Sequence, residues 1–241
     1  YKLNSSKNYI CNTFRSSFHW NHSGAETLLG GNAVKQYVRP HKTFVGDDLN
    51  FLHNINKHSS YKFQVSSSYT YLPSLLQLLD NQTQHLDVTI SKLNASTTFR
   101  HKLWGMKIAY DAQLNYKKEE GKLNFTTSEY MQETQALLTP SISYSNASGL
   151  SLSASASMNL SRYDLTHDGR TRFHIMPSAG VQYQLNATSD IQAGYRLSYS
   201  VMPFHTITSL PYYTSYSSQI GGNGKWNDLA THVGYASFKY G

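Results

Sequence analysis

The histidines are the first residues of this sequence that could carry chemistry, because imidazole binds metal ions and transfers protons near neutral pH. There are 11 of them, and the close pairs are His19 with His22 and His53 with His58. A zinc site needs three or four protein ligands, and neither pair has a third ligand at useful spacing. The sequence therefore predicts no metal site and no cofactor.

A hydrolytic centre would need a Ser/His or an Asp/His constellation. His167 and Asp168 are adjacent, and Asp164 and several serines stand close to them in the sequence. Serine is so abundant throughout the chain that a serine near a histidine carries little information. No catalytic residue is predicted, and the chain is not expected to be an enzyme.

Aromatic residues in the segment 203–228 suit binding rather than catalysis. An aromatic ring can stack on a sugar or a peptide while a neighbouring amide or hydroxyl group forms hydrogen bonds. The alternative is that these rings pack within a loop or belong to an aromatic belt. The candidate substrate-binding residues are Tyr212, Tyr213, Tyr216 and Trp226, beside Gln219, Asn223 and Asn227.

The composition limits the class of protein that could present such residues. Charged residues make up 15% of the chain, against roughly 25% in ordinary proteins, and 13% of the chain is aromatic, with 19 tyrosines. Disordered chains have few aromatics and many charges. The formal net charge is +7, but the basic residues are scattered, so nucleic acid is not an expected partner. The single cysteine, Cys11, excludes an internal disulfide framework.

Apolar and polar residues alternate over long stretches of the chain. From Leu150 to Leu160 every second residue is Leu, Ala or Met, and the residues between them are Ser or Asn. The stretches 106–117 and 191–201 repeat the pattern, and Tyr199 falls among the apolar residues of the second. Successive side chains of a β-strand point to opposite faces, so these stretches are predicted to be long strands with one apolar and one polar face.

The length of these strands indicates where they lie. Strands of soluble proteins have about 5–6 residues, whereas a strand that crosses a bilayer needs about 9–11. Aromatic residues stand at several strand ends, for example Phe18 with Trp20 and Phe238 with Tyr240. Alternation of this kind with aromatic girdles is typical of a membrane β-barrel. A soluble extracellular β-sandwich adhesin is the alternative.

The connections between strands predict an orientation. Short links near 57–59, 103–104, 146–148 and 186–189 alternate with long ones at 21–47, 73–86, 118–133, 163–170 and 203–228. Outer-membrane barrels have short periplasmic turns and longer extracellular loops. We therefore predict an all-β, transmembrane antiparallel β-barrel in an outer membrane, with lipid against its apolar face. The ten predicted strands are 9–20, 48–56, 60–72, 87–102, 105–117, 134–145, 149–162, 171–185, 190–202 and 229–240.

Basic residues on the polar face form the second candidate site. They could attract an anionic solute, or the face could be a solvated wall without a specific ligand. Few acidic residues oppose them, and Asp111 is the clearest. The predicted lumen-facing basic residues are Arg100, Lys107, Lys117, His174 and Arg196.

Three features of the chain resemble a known family. The first is the hairpin at 49–58 with the segments 61–65 and 69–73, and the second is the run of hairpins with asymmetric loops. In the third, a polar loop from 212–216 through 221–224 returns to the aromatic-rich strand 232–240. Together they resemble the C-terminal barrel of TonB-dependent outer-membrane receptors of the type common in Bacteroidetes. The resemblance is one of pattern over most of the chain.

The resemblance implies uptake of a nutrient, of the oligosaccharide, peptide or siderophore class, across a Gram-negative outer membrane. It implies a plug domain, whose acidic groups the basic wall could pair with, and also TonB and a surface lipoprotein as partners. Such receptors have roughly 22 strands around a plugged lumen, so residues 1–241 are interpreted as a single, incomplete barrel segment. The alternative is a complete ten-strand barrel that acts as an enzyme, of phospholipase or protease type, or as a structural anchor.

Overall fold

Antiparallel strands form almost all of the described chain. The computed structural model describes residues 2–4, 7–20, 23–29, 32–38, 41–77, 83–124, 127–166, 168–186, 188–201, 207, 212–215, 218–220 and 228–240. Its short strands are β1 (Lys2–Asn4), β3 (Ser23–Leu29), β4 (Asn32–Val38), β13 (Tyr212–Ser215) and β14 (Ser218–Ile220). Its long strands are β2 (Asn8–Trp20), β5 (His41–Asn54), β6 (Ser59–Gln77), β7 (Thr83–Leu103), β8 (Met106–Leu123), β9 (Thr127–Ser145), β10 (Leu150–Leu165), β11 (Gly169–Gln184), β12 (Asp190–Val201) and β15 (Asp228–Lys239).

The ten long strands lie side by side, in chain order, in one antiparallel sheet. β1 extends the sheet beyond β2, and the β3–β4 hairpin joins β6. Within the described residues β2 and β15 do not pair with each other, so the sheet is open. The predicted all-β fold with ten antiparallel strands is confirmed. The sandwich alternative is wrong, because no second large sheet faces this one in the described part of the chain.

One face of the sheet, here called the apolar face, exposes large hydrophobic side chains. Phe14 is 68% exposed and Phe173 is 59% exposed. A water-soluble protein would place such side chains inside, whereas a membrane barrel turns them toward lipid. The buried hydrophobic side chains among the described residues are Met131, Tyr163 and Ile207. Further exposed residues of the apolar face are Tyr110, Leu114, Leu138, Ile142, Leu152 and Ile175.

Hydroxyl and amide groups form hydrogen bonds between strands on the opposite face, here called the polar face. The hydroxyl oxygens of Ser155 on β10 and Ser178 on β11 are 2.8 Å apart. The side-chain amide of Asn94 on β7 donates to Oδ1 of Asn115 on β8. Because these neutral groups satisfy one another, the face needs few ions. The low charge content of the sequence follows from this arrangement.

Tight turns at 55–58, 104–105, 146–149 and 185–189 join the strands at one end of the sheet, the short-turn end. Trp104 and Gly105 both have positive φ, 46° and 80°, as a type I′ turn requires in a two-residue hairpin. In the next turn Asn146 Oδ1 accepts hydrogen bonds from Leu150 N at 3.0 Å and from the Ser148 hydroxyl at 2.8 Å. The opposite end of the sheet is called the long-loop end.

Most of the segments predicted as long loops are strands instead. Residues 41–47, 73–77, 83–86, 118–123 and 127–133 belong to β5 through β9, and 23–29 pairs with 32–38. The β8–β9 connection shortens to 124–126, and the N–H of Asn124 donates to the carbonyl oxygen of His85 at 2.8 Å. The ladders continue because an antiparallel partner satisfies each backbone N–H and C=O.

The apolar band ends before the strands do. On the apolar face of β8 the hydrophobic residues stop at Tyr116, and Lys118 follows. On β10 they stop at Leu160, and Arg162 follows. The strand segments beyond Tyr116 and Leu160 therefore lack an apolar face and project past the band. No helix among the described residues is long and apolar enough to span a membrane.

Candidate functional site

The predicted aromatic site falls outside what the structure describes. Tyr212 and Tyr213 begin β13, of which the backbone alone is described. Tyr216 and Trp226 lie outside the described residues. Substrate binding by these four residues stays a prediction.

The five predicted basic residues do not form one site. Arg100 and Lys107 lie near the short-turn end, where Lys107 is directly opposite Lys102 in the β7–β8 ladder. The other three stand apart: Lys117 on β8 toward the long-loop end, His174 on β11 and Arg196 on β12.

A basin on the polar face collects the basic residues of the short-turn end. Its volume is about 460 Å³. The β5–β6 turn contributes Lys57 and His58, and the β7–β8 hairpin contributes Arg100, Lys102 and Lys107. A hydrogen bond of 2.8 Å from Lys102 N to the carbonyl oxygen of His58 joins the two turns. This feature is called the short-turn basin.

Negative charge is scarce in the short-turn basin. Asp111 is the one carboxylate among its described lining residues, and it already accepts a hydrogen bond of 2.5 Å from Thr98 Oγ1. Among the described residues, no carboxylate lies within ion-pair distance of Arg100 or of the basin's three lysines. The basin therefore holds four permanent cations against one carboxylate.

Reasoning from sequence missed Lys57 and Lys102. Lys102 is two residues from Arg100, so the alternation of β7 could have placed it on the polar face. No periodicity applies to Lys57, which lies in a turn. The Lys102–Lys107 pairing depends on the register that the two-residue turn imposes, and a shift by one residue would have placed these side chains on opposite faces.

Acids and bases pair with one another at the long-loop end. The hydrogen bond from Lys118 lowers the pKa of Glu120, and the charge of Lys122 adds to the effect. Acidic groups thus neutralise basic neighbours here, in contrast to the short-turn basin. The ion pairs include Lys117–Glu119 at 3.0 Å, Lys118–Glu120 at 3.1 Å, Arg162–Asp164 at 3.0 Å and Arg170–Asp168 at 3.0 Å.

A small buried cluster lies on the polar face beyond the apolar band. Ile207, from the connection after β12, packs with Met131 and Tyr163 and is 1% exposed. The Gln135 amide donates to Glu133 Oε1 at 2.5 Å and to Tyr163 Oη at 3.3 Å. Burial raises the pKa of Glu133 and that of Tyr163. The surroundings of the Glu133 carboxyl group therefore favour its neutral form.

We expect Glu133→Gln to remove a pH-dependent loss of stability. The pKa of Glu133 is raised, so the folded protein binds this proton more tightly than the unfolded protein does. Its stabilising contribution is present below the ordinary pKa of 4.5 and is lost as pH rises through the raised value. As pH rises above about 4.5, the wild type should lose more unfolding free energy than the variant does.

Urea denaturation at a series of pH values measures this difference. Glu120→Gln is a control with the opposite pH dependence. The pKa of Glu120 is lowered, so the stability that its carboxylate contributes is lost as pH falls. Parallel pH profiles for the wild type and Glu133→Gln would contradict the assignment.

The backbone pairing of β11 with β12 stops before either strand ends, so the two strands are unpaired with each other toward the long-loop end. The last pair is Ser178 with Arg196, although both strands continue. The ring of His174 stacks on Tyr199 with the centroids 4.0 Å apart. The sequence pattern placed Tyr199 among the apolar-face residues. Beyond Ser178 no ladder joins β11 to β12, although β12 still pairs Tyr199 with Ala230 on β15. Two more contacts bridge this region: Arg172–Asp228 at 3.2 Å and His174–Asp228 at 3.8 Å.

Comparison with known proteins adds to the description of the fold. No protein-family model and no curated protein matches the sequence. The structure is similar to that of the alcaligin outer-membrane receptor FauA from Bordetella pertussis, with a TM-score of 0.54 and 13% sequence identity over 83% of this chain. The chain spans 34% of that receptor's length.

A second match is the Salmonella typhi OmpF complex with daunomycin, which covers 98% of this chain and 100% of that one. Its TM-score is 0.24 at 9% identity, too low to support an argument. The likeness to FauA is one of fold alone. The described strands therefore have the fold of part of an outer-membrane receptor barrel.

Proposed function

We propose that this chain is part of an outer-membrane β-barrel that takes up a nutrient in the manner of TonB-dependent receptors. The observation that carries the proposal is the division of the sheet into two faces. Phe14, Leu138 and Phe173 are exposed on one face, and the other is a hydrogen-bonded polar lining. A bilayer favours such an outer face, and an aqueous lumen favours such an inner one. The similarity to the FauA barrel adds support.

The free edges of the sheet support a larger barrel. An unpaired backbone N–H or C=O costs several kcal/mol in hydrocarbon, so a sheet in a bilayer closes. Every residue from Leu229 to Tyr240 is exposed, and β2 and β15 do not meet within the described residues. We infer that further strands flank both edges in the membrane.

The partners and the substrate class rest on the family resemblance. A plug domain, TonB coupling and a surface lipoprotein are proposed on that basis, as is a substrate of the oligosaccharide, peptide or siderophore class. Tyr212, Tyr213, Tyr216 and Trp226 are the proposed substrate contacts.

Uptake in cells that carry the gene tests the proposal. We expect deletion of the gene to abolish uptake of one labelled class among oligosaccharides, peptides and ferric siderophores. Uptake should return with the gene and stop when TonB is removed, because the outer membrane has no energy source of its own. Trp226→Ala should reduce uptake, whereas the control Trp20→Ala changes a side chain that is 75% exposed on the apolar face and should not. Unchanged uptake of all three classes after deletion would contradict the proposal.

A further inference from the structure

We propose that the short-turn basin binds a small anion, namely inorganic phosphate or the phosphate or carboxylate group of an anionic solute. The inference builds on the proposed uptake function, because it names a chemical class for a solute that leaves the barrel at this end. The binding itself can be measured without transport.

The ladder brings three cations together on one surface. Lys102 and Lys107 are direct cross-strand partners, so their Cβ atoms are about 4.5–5.5 Å apart. Arg100 is two residues from Lys102 on the same strand, and it therefore projects from the same face. Like charges directly opposite each other destabilise a sheet. An anion between the two lysines would relieve that repulsion.

The described chain does not supply this anion from its own carboxylates. Asp111 is bound by Thr98, and ion pairs elsewhere, such as Arg162–Asp164 and Arg170–Asp168, use the acids of the long-loop end. Among the described residues, several basic side chains of the long-loop end are thus neutralised, whereas the four Lys and Arg side chains of the basin have no carboxylate within ion-pair distance. Uneven pairing of this kind marks a surface with a positive potential, which attracts anions.

The basin also has the size and the donors for such a ligand. A volume of about 460 Å³ falls within the usual range for small-molecule sites. Ser143 lies opposite Lys107 in the β8–β9 ladder, and Ser141 lies opposite Ala109. Both residues line the basin. The Ser141 hydroxyl donates to the Ala109 carbonyl oxygen at 3.5 Å, so it is the Ser143 hydroxyl that can donate to an anion alongside the ammonium and guanidinium groups. Charge-assisted hydrogen bonds of this type are roughly twice as strong as neutral ones.

The test is calorimetric titration, in non-ionic detergent micelles, of the whole barrel that contains this chain, with pyrophosphate and inorganic phosphate as the probes and maltotriose as the neutral probe. We expect one pyrophosphate to bind per chain, phosphate to bind more weakly, and maltotriose not to bind at this site. Raising the salt concentration from about 0.1 to 0.5 M should weaken binding, because the Debye length shrinks.

Two variants with the same change of net charge separate the basin from the total charge of the protein. The double variant Lys102→Gln/Lys107→Gln should weaken pyrophosphate binding at least about tenfold, or about 1.4 kcal/mol. The matched control Lys118→Gln/Lys122→Gln removes two charges from the apolar side of β8, where both lysines pair with Glu120. Its affinity should stay within about twofold of the wild type. Circular dichroism checks that both variants fold, and Arg100→Gln is a further basin variant that leaves the lysine pair intact.

Three outcomes would overturn the proposal: no saturable pyrophosphate binding by the wild type, an equal loss of affinity in the two double variants, or binding of a glutamate-rich peptide without any binding of pyrophosphate. The last outcome would make the basin a protein-docking surface. Failure here is distinct from failure of the uptake proposal. Pyrophosphate can bind in micelles although no TonB-dependent uptake exists, and uptake can exist although the basin stays empty.

Discussion

Leu138→Arg is expected to lower the free energy of unfolding in a lipid bilayer by about 2–4 kcal/mol, the cost of a basic residue at the midplane of a membrane barrel. Leu138 is 44% exposed on the apolar face. It pairs with Ala112, near the middle of the apolar band of β8. Urea denaturation of the protein folded into vesicles measures the loss.

Gln113→Arg is the matched control, because Gln113 is the next residue after Ala112 and projects from the polar face. An arginine there stays in the aqueous lumen, so we expect a change of no more than about 0.5 kcal/mol, as for an ordinary surface substitution. Equal losses in the two variants would show that the apolar face does not meet lipid. That result would remove the main support for a membrane barrel.

Gly149→Ala is expected to destabilise the protein by about 2–4 kcal/mol, through backbone strain and a steric collision that add to each other. Gly149 has a φ of 84°, where a residue with a Cβ is strained. An added Cβ would also lie 2.9 Å from the carbonyl oxygen and 2.9 Å from the Cβ of Gln184. The backbone cannot easily withdraw, because Gln184 N donates to the Gly149 carbonyl oxygen at 3.0 Å.

Gly105→Ala isolates the strain from the collision. Gly105 has a similar φ of 80°, but the nearest atom to an added Cβ is Tyr144 Cε2 at 3.7 Å, an ordinary contact distance. We expect a cost of about 1–2 kcal/mol for this variant. Denaturant unfolding of both variants gives the difference. If Gly149→Ala lowers the free energy of unfolding no more than Gly105→Ala does, the β9–β10 turn and β11 can move apart without a loss of stability.

Strand positions were predictable because they depend on local alternation. The alternation from Leu150 to Leu160 predicts a strand without any knowledge of the neighbouring strands, and these residues lie in β10. The loops predicted at 73–86 and 118–133 are wrong for residues 73–77, 83–86, 118–123 and 127–133, which are strand, because the regular apolar–polar alternation stops there. Pairing continues past that point, since the partner strand satisfies the backbone even where both faces meet water.

The candidate site, too, was only partly predictable from the sequence. Alternation placed Arg100 and Lys107 on the polar face, and the β7–β8 register brings them to one basin with Lys102. Lys117 is on the same strand as Lys107, yet its partner is Glu119 at 3.0 Å. The sequence carries a signal for this difference, because Glu119 is two residues from Lys117 on the same strand and therefore projects from the same face. The residues two away from Lys107 are Gly105 and Ala109, neither of which is acidic.

The sequence by itself determined the class of this protein: long two-faced strands with few charges and many tyrosines. A period of two residues needs no tertiary information, since the pleat of one strand sets it. The tertiary structure decided which side chains meet. It placed Lys102 opposite Lys107, packed Ile207 against Met131, and brought His174 onto Tyr199 where the ladder ends. The first and third contacts follow from strand pairing and from where it ends, and the second from the way a connection lies on the sheet. None of these is a property of one segment alone.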